Sequence, residues 1–286
     1  MRLHTPCGGP VLVLPTFDSP RELRTRRTLL RDWRQRRRLS QLDLALDAEI
    51  SARHLSFIET GRSRPSRGLL LHLAELLQMP LRERNRLLLA AGFAPHYDER
   101  ALTATPLAPA LQAIERLLQA HEPYPAVVVD RHWKLVRGNR MARLFLADVT
   151  PALQAAPCNV LRLTLHPDGL APLIVNLGEW RSHLLARLRA QVAASGDPGL
   201  AALLAELSAM SPLPGEDQPG GYTSPAPDVL TLFRLRSPVG ELALFSTITV
   251  FGTPVDITLS ELALESFYPA DADTAVRLRR LAEGMG

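Results

Sequence analysis

Hydrophobic positions in the N-terminal third of the chain recur at helical spacing. Between residues 21 and 91 apolar side chains return every three or four positions, which predicts consecutive helices separated by short breaks. Ser40 and Ser51 each precede such a run and are residue types that cap helix N-termini. Gly61 follows the second run and indicates its end. The spacing therefore predicts a helix-turn-helix over residues 39–61.

The same periodicity predicts which side chains of this motif are buried. We expect Leu42, Ala45 and Leu46 to form the buried stripe of the first helix. On the second helix we expect Leu55 and Ile58 to face inward. The remaining positions of the second helix should face outward, and they are Ala52, Arg53, His54, Ser56 and Phe57.

Beyond residue 110 the pattern includes β-prone runs. Two short runs, residues 126–130 and 133–136, flank a turn, and Asn139 can cap a helix after them. Leucine and tryptophan spacing predicts a long helix over residues 170–194. The remaining predicted elements are a helix at 199–210, a loop at 211–227, β runs at 229–235, 241–251 and 255–267, and a helix at 272–282.

These elements predict two domains, the first all-α and the second α+β. We expect strands at both ends of the second domain to form an antiparallel sheet with helices on one face. The predicted parts are a flexible tail at 1–20, a helix-turn-helix domain at 21–95, a linker at 96–110 and a second domain at 111–286.

Positive charge is concentrated in the helical block. Residues 21–95 carry 16 Arg or Lys and 8 Asp or Glu, whereas residues 96–286 carry 16 and 20. This asymmetry indicates a polyanionic partner for the first domain. Gln41 and Ser51, at helix N-termini, are candidates to contact DNA phosphates. Arg53 is a candidate for guanine and Phe57 for a thymine methyl group.

Two alternatives remain for this segment. The helix pair is also compatible with a hairpin used for protein contacts or dimerisation. Phe57 is also compatible with a dimer face or the edge of the core.

The segment from Ser40 to Gly61 resembles the lambda-repressor-like (Xre-type) helix-turn-helix family. The resemblance implies a five-helix domain over roughly residues 25–92, in which Arg34 and Glu59 form a buried structural pair. It also implies that Arg62, Arg64 and Ser66 lie near the DNA backbone.

A wider resemblance covers most of the chain after residue 20. The stretches that carry it are residues 54–66, 90–95, 121–126, 166–170 and 179–185, which are similar to the MmyB-type subgroup of these regulators. The resemblance implies a second domain similar to a PAS fold. It further implies binding of a small, fairly apolar ligand, such as a fatty acid.

In such a fold an apolar cavity lies between sheet and helices. Arg181 borders the apolar stripe and is a candidate to bind a carboxylate, with a structural ion pair as the alternative. The stripe of leucine and tryptophan residues is also compatible with an ordinary hydrophobic core that binds no ligand. The ligand-binding candidates are Leu177, Trp180, Arg181, Leu184, Phe233, Phe245 and Phe251.

The sequence offers little support for catalysis, a metal or another cofactor. His166 and Asp168 lack a third ligand at useful spacing, and no phosphate loop or nucleophile motif is present. Cys7 and Cys158 form no disulfide framework, and no apolar run approaches the roughly 20 residues that span a bilayer. We therefore expect a cytoplasmic protein that is not an enzyme and has no membrane partner.

These observations predict a transcriptional regulator that binds double-stranded DNA as a homodimer and responds to a small ligand. The alternative is a constitutive regulator whose second domain serves dimerisation or binding of a protein partner. An enzyme anchored to DNA is a third possibility, but it needs a polar cluster that the sequence does not offer.

Overall fold

The structure is a computed structural model that describes residues 29–147, 149–210, 231–252 and 254–284. It divides into two compact units, Met1–His96 and Tyr97–Gly286. The predicted tail at residues 1–20 and the predicted loop at 211–227 lie outside the described residues. The predicted fold class, a helical domain followed by an α+β domain, is confirmed. No helix within the described ranges is long and apolar enough to cross a lipid bilayer.

The first unit consists of short helices. These are α1 at residues 29–36, α2 (Gln41–Asp47), α3 (Ala52–Thr60), α4 (Arg67–Leu76) and α5 (Leu81–Ala90). Three of them begin with a serine cap, which was predicted for Ser40 and Ser51 but not for Ser66. The Oγ atom of each serine accepts a hydrogen bond from the amide three residues later. Gly61 ends α3 with a φ of 72°, a backbone conformation that glycine adopts at little cost.

The buried stripe predicted for α2 is confirmed at Ala45 but wrong at Leu42 and Leu46. Leu42 and Leu46 are 58% and 66% exposed, whereas Leu44, Ala45 and Ala48 are buried. Since leucine occupies positions 42, 44 and 46, apolar periodicity does not distinguish the two faces of this helix. The phase is set by the packing of Leu44 and Ala45 into the core formed with α3 and α4.

The second unit contains a five-stranded antiparallel sheet. Its strands are β1 (Ala126–Val129), β2 (Leu135–Gly138), β3 (Phe233–Ser237), β4 (Gly240–Val250) and β5 (Ala263–Pro269), in the spatial order β2-β1-β5-β4-β3. The central strand β5 pairs with β1 on one side and with β4 on the other. Glu265 of β5 lies opposite Val127 of β1 and opposite Ile248 of β4. Residues far apart in sequence therefore meet on one sheet.

Helices surround this sheet. They are α6 (Ala108–Ala120), α7 (Arg140–Leu146), α8 (Pro151–Gln154), α9 (Val160–Leu165), α10 (Leu177–Ser195), α11 (Pro198–Ala209), α12 (Ile257–Ser260) and α13 (Ala272–Glu283). Side chains that alternate along β1 point to opposite faces. Ala126 and Val128 pack with Ile114 and Leu118 of α6 in one cluster, whereas Val127 joins the main core. Helix α6 thus covers the face opposite the main core, so helices pack on both faces of the sheet and not on one face alone as predicted.

Two predicted elements in this unit have different bounds. The long helix predicted over residues 170–194 begins only at Leu177, because Ala171–Leu173 forms a 3-10 turn and Ile174 bridges to Leu235 of β3. The β run predicted at 255–267 contains helix α12 before β5. Asp256 starts that helix by accepting a bond from the amide of Leu259 at 3.2 Å.

The segment predicted as a linker, residues 96–110, packs largely within the second unit. Asp98 forms a β-bridge with Asp256, and Arg100 Nη1 lies 3.2 Å from the Asp256 carboxylate. Thr258 donates a hydrogen bond of 2.6 Å to the carbonyl of Arg100. Helix α6 begins at Ala108, inside the predicted linker, so the chain enters the second unit soon after His96.

Candidate nucleic-acid interface and ligand cavity

Helix α3 has one buried face and one accessible face. Leu55 and Ile58 are 0% and 1% exposed and fix the helix to the core, which confirms the predicted inward positions. Arg53 is exposed, and the other four predicted outward residues are half-buried: Ala52, His54, Ser56 and Phe57. The N-terminal half of α3 therefore presents a narrow accessible strip headed by Arg53.

Phe57 lies between two guanidinium groups on this strip. The Cζ atom of Arg53 lies 5.3 Å from the centre of the Phe57 ring, and that of Arg62 lies 5.9 Å away. Such cation–π contacts hold a long, flexible side chain over a half-buried ring. The half-buried ring is thus in cation–π contact with two exposed arginines.

The predicted pair between Arg34 and Glu59 is present and buried. Arg34 Nε donates to Glu59 Oε1 at 2.7 Å, and Nη2 donates to Oε2 at 2.9 Å. This bond to Glu59 raises the pKa of Arg34, although burial opposes the shift. Both residues are less than a tenth exposed, so the pair belongs to the buried interior of the first unit.

Gln41 is bound to the same carboxylate. Its Nε2 atom donates a hydrogen bond of 2.7 Å to Glu59 Oε2. The N-terminus of α2 is also occupied by a carboxylate of the protein itself. The backbone N–H of Ser40 donates a hydrogen bond of 3.0 Å to Asp43 Oδ2. The hydrogen bonds with Ser40 lower the pKa of Asp43. A phosphate at this N-terminus would therefore lie beside an ionised carboxylate.

The second unit encloses a cavity of about 90 Å³ between its sheet and its helices. A cavity needs at least roughly 10–15 Å³ to hold one water, and an apolar cavity of about 150 Å³ binds benzene, so this space is of the size that a small apolar molecule occupies. Alternate residues of the strands share the face that borders it. The strand residues lining it are Val127, Phe233, Leu235, Leu244, Glu265 and Phe267; the helical and loop residues are Pro125, Ala142, Phe145, Leu146, Val160, Leu161, Leu163, Thr164, Leu170, Trp180 and Leu184.

Three polar groups belong to this otherwise apolar lining. The Thr164 hydroxyl donates to the carbonyl of Val160 at 2.6 Å, so its hydrogen is already used. Glu265, only 5% exposed, accepts bonds from Arg187 Nη1 at 3.0 Å and Ser246 Oγ at 3.1 Å, both at Oε1. The indole Nε1 of Trp180 is buried and has no hydrogen-bond partner among the described residues.

Trp180 lies in an aromatic stack at the cavity wall. Its ring lies 4.9 Å from that of Phe233 and 5.3 Å from that of His183, centre to centre. Burial lowers the pKa of His183, and the charge of Arg187 lowers it further, with Glu265 and Glu179 opposing. His183 is therefore neutral at pH 7, and the stack contributes no charge to the cavity wall.

Comparison with family models identifies both units. A helix-turn-helix domain model matches residues 27–87, and the model of an MmyB-like transcription regulator ligand binding domain matches residues 110–281. The chain belongs to the MmyB-like transcription regulator family. It thus combines a helix-turn-helix DNA-binding domain with a ligand-binding domain, as in a transcription regulator.

No curated protein sequence matches the chain. A solved structure described as an RNA-binding light-oxygen-voltage receptor is similar, with 13% sequence identity and a TM-score of 0.26. That match covers 90% of this chain and 63% of the receptor chain, so the MmyB-like chain spans less than two thirds of the receptor's length.

The predicted ligand-binding residues of the MmyB-like domain separate into two groups. Trp180, Leu184 and Phe233 line the cavity. Each of the other four lies elsewhere. Leu177 is in the main core, Phe251 packs beside the α6 cluster, Phe245 stacks on Tyr268 at 5.3 Å, and Arg181 donates to the carbonyls of Leu207 and Met210 at the end of α11.

The cavity residues contributed by β5, α7 and α9 were not predicted from the sequence. Glu265 and Phe267 are two positions apart in a run predicted as a strand, so they share a face, and this alternation was a usable signal. The alternation does not show which face borders the cavity, because that depends on where α10 and α7 pack.

His166 and Asp168 form a local turn. The amide of Asp168 donates to His166 Nδ1 at 3.0 Å, and the carboxylate lies 3.8 Å from that nitrogen. Among the residues that the structure describes, no cluster of three His, Cys, Asp or Glu is arranged to hold a metal ion.

Proposed function

We propose that the chain is a sequence-specific DNA-binding regulator whose DNA affinity changes when a small apolar or amphiphilic ligand binds in the second unit. On this proposal residues 21–95 bind DNA, residues 111–286 bind the ligand, and residues 96–110 connect them. The single observation that carries the proposal is the coexistence, in one chain, of an accessible α3 strip and an apolar cavity between the sheet and the helices of the second unit.

On the DNA side, α3 enters the major groove and its N-terminal half contacts base edges. Arg53, held over Phe57, contacts O6 and N7 of guanine, and Phe57 contacts a thymine methyl group. Ala52, His54 and Ser56 complete this strip. Gln41 and Ser51 lie by the phosphates at the starts of α2 and α3, and Arg62 and Arg64, both exposed after α3, lie along the backbone.

The regulator acts as a homodimer on a pseudo-palindromic site, with half-sites about one helical turn apart. The second unit binds a small ligand, for which fatty acids are the class that the family resemblance implies. Ligand binding and DNA binding then influence each other reciprocally, by about 1–3 kcal/mol in typical cases.

Selection from a randomised duplex pool tests the DNA part. Affinities of the full chain for a selected duplex and a scrambled duplex are compared for Arg53→Ala and Gln41→Ala. Arg53→Ala is expected to lower the ratio of the two affinities about 5-fold to 150-fold, the equivalent of about 1–3 kcal/mol. Gln41→Ala is expected to weaken both duplexes alike.

Two controls accompany this measurement. Arg86→Ala removes an exposed arginine of α5 that pairs with Glu83 at 2.9 Å, and it should leave the ratio unchanged. Thermal unfolding of each variant is recorded because Gln41→Ala also removes a bond to Glu59. Equal losses on both duplexes for Arg53→Ala would reject its assignment to a base.

A second candidate is a constitutive regulator whose second unit only dimerises or binds a protein. The half-exposed end of β4 favours it, since Ile248 and Val250 are 44% and 61% exposed. Sedimentation of the full chain and of Val250→Asp separates the two: a dimer lost in the variant, together with no binding of hexanoate to the full chain in calorimetry, supports the constitutive form.

A further inference from the structure

Two side chains on the accessible strip of α3 contact each other, and this contact limits the DNA sequence that they recognise together. We propose that Arg53 and Phe57 recognise two adjacent base pairs as one unit, a G·C pair next to an A·T pair. This inference rests on the proposed DNA-binding function and narrows its partner from duplex DNA in general to half-sites that contain this step.

Phe57 is the anchored member of the pair. Its ring is half-buried near the C-terminal end of α3. Its carbonyl oxygen accepts the amide of Arg62 at 2.8 Å and the amide of Ser63 at 3.1 Å, so the backbone at position 57 is tied to the segment that follows the helix. The Cζ atom of Arg62 lies 5.9 Å from the ring centre. The ring therefore gives a flexible neighbour a defined surface to lie against.

Arg53 is the flexible member of the pair. It lies four residues before Phe57, and side chains at this spacing meet on one face of a helix. Its Cζ atom is 5.3 Å from the ring centre, while the side chain as a whole is exposed. A cation–π contact involves the charge of the guanidinium and leaves N–H groups that can donate to O6 and N7 of guanine. Arg53 can therefore contact the ring and a guanine at the same time.

The distance between the two groups sets the spacing of their targets. Successive base pairs of DNA are about 3.4 Å apart along the axis, so two steps separate base pairs by about 6.8 Å. The 5.3 Å between the guanidinium carbon and the ring centre fits one step and is shorter than two. A single base pair cannot supply both targets, because a G·C pair carries no thymine methyl group. The guanine and the thymine therefore belong to neighbouring base pairs.

The same contact makes Phe57 a positioning residue for Arg53. Without the ring, the long side chain of Arg53 has to be ordered when DNA binds, and ordering an arginine costs conformational entropy. Loss of the ring should therefore weaken the recognition of guanine by Arg53, although the ring itself does not contact that guanine.

Base analogues test the proposal on the full chain. A duplex selected from a randomised pool is resynthesised with 7-deazaguanine at each guanine in turn, which removes N7, and with deoxyuridine at each thymine in turn, which removes only the methyl group. We expect one guanine in each half-site at which 7-deazaguanine lowers the affinity at least about fivefold, an effect that disappears in Arg53→Ala. The largest deoxyuridine effect, about twofold to fivefold, should occur in a neighbouring base pair.

Two variants at position 57 separate the roles of the ring. Phe57→Leu keeps an apolar side chain for the methyl group but has no aromatic face. The deoxyuridine effect should therefore remain, while the 7-deazaguanine effect falls about twofold to fivefold. Phe57→Ala should lose the deoxyuridine effect as well. Thermal unfolding without DNA verifies that each variant folds, and Arg86→Ala, at an exposed position of α5, should leave both effects unchanged.

The outcomes separate this inference from the function on which it rests. If no guanine shows an effect that depends on Arg53, the base recognition proposed for α3 fails. Other results would leave that recognition in place but overturn the adjacent-pair assignment. These are G·C pairs on both sides of the guanine, no cost of deoxyuridine beside it, or an unchanged 7-deazaguanine effect in Phe57→Leu.

Discussion

The guanidinium of Arg34 and the carboxylate of Glu59 form a two-pronged ion pair, with N–O distances of 2.7 and 2.9 Å, that joins α1 to α3. Because Glu59 is also bonded by Gln41 of α2, three helices are held at one buried carboxylate. Glu59 and Arg53 lie on the same helix, so this buried pair fixes the position of the helix that carries Arg53.

We predict that Arg34→Met destabilises the first unit by about 3–5 kcal/mol, because it leaves a buried carboxylate without its cation. Hydrogen exchange of α2 and α3 amides in the full chain measures the loss. Arg31→Met, at an exposed position of α1, is the matched control and should change protection little. Similar protection in both variants would contradict a structural role for the pair.

Glu49, in the turn between α2 and α3, has a φ of 54°. A side chain in this left-handed region costs about 1–2 kcal/mol, and glycine avoids the cost while losing some backbone entropy. Glu49→Gly should therefore stabilise the first unit by about 0.5–1 kcal/mol in thermal unfolding. Glu49→Ala keeps the strain and should give no such gain; equal melting temperatures for the two variants would argue against strain at this turn.

Arg181 is expected to act on stability and not on ligand affinity. Its guanidinium donates to two backbone carbonyls at the end of α11, at positions 207 and 210. Arg181→Met keeps much of the aliphatic stem and should cost about 1–3 kcal/mol in urea unfolding. The affinity of the full chain for hexanoate, a short fatty acid, should remain within about twofold of the original, which calorimetry checks. A large loss of probe affinity at unchanged stability would restore Arg181 as a ligand contact.

The stability of the second unit should fall as the medium is acidified below pH 6.5. The pKa of His183 lies below its ordinary value of 6.5, because burial disfavours the charged ring and Arg187 repels it. Between the lowered pKa and 6.5 the unfolded chain binds more protons than the folded chain, so stability decreases as the pH falls through this window.

Thermal unfolding between pH 8 and pH 5.5 measures this dependence. His183→Gln should reduce the slope below pH 6.5, whereas His72→Gln, at an exposed position of the first unit, should leave it unchanged. A slope that is the same in all three proteins would show that His183 titrates normally.

Local signals in the sequence were sufficient to predict where the helices of the helix-turn-helix begin and end. Ser40, Ser51 and Gly61 act on backbone groups within four residues of themselves, so their roles as caps follow from residue type and spacing. The inward positions Leu55 and Ile58 were equally predictable, because the apolar residues of α3 mark a single face.

The tertiary structure decided the features that depend on which faces meet. Which face of α2 is buried followed from packing, which buries Leu44 and exposes Leu42. The sequence alone could not decide between these two leucines, because each fits a stripe of apolar residues at helical spacing. Likewise, only the antiparallel pairing of β5 between β1 and β4 brings Glu265 to the same cavity as Trp180. The burial and the charge at that cavity depend on residues that are far apart in the chain and meet only on folding. Helix capping and apolar periodicity depend on residues that are close together in the sequence.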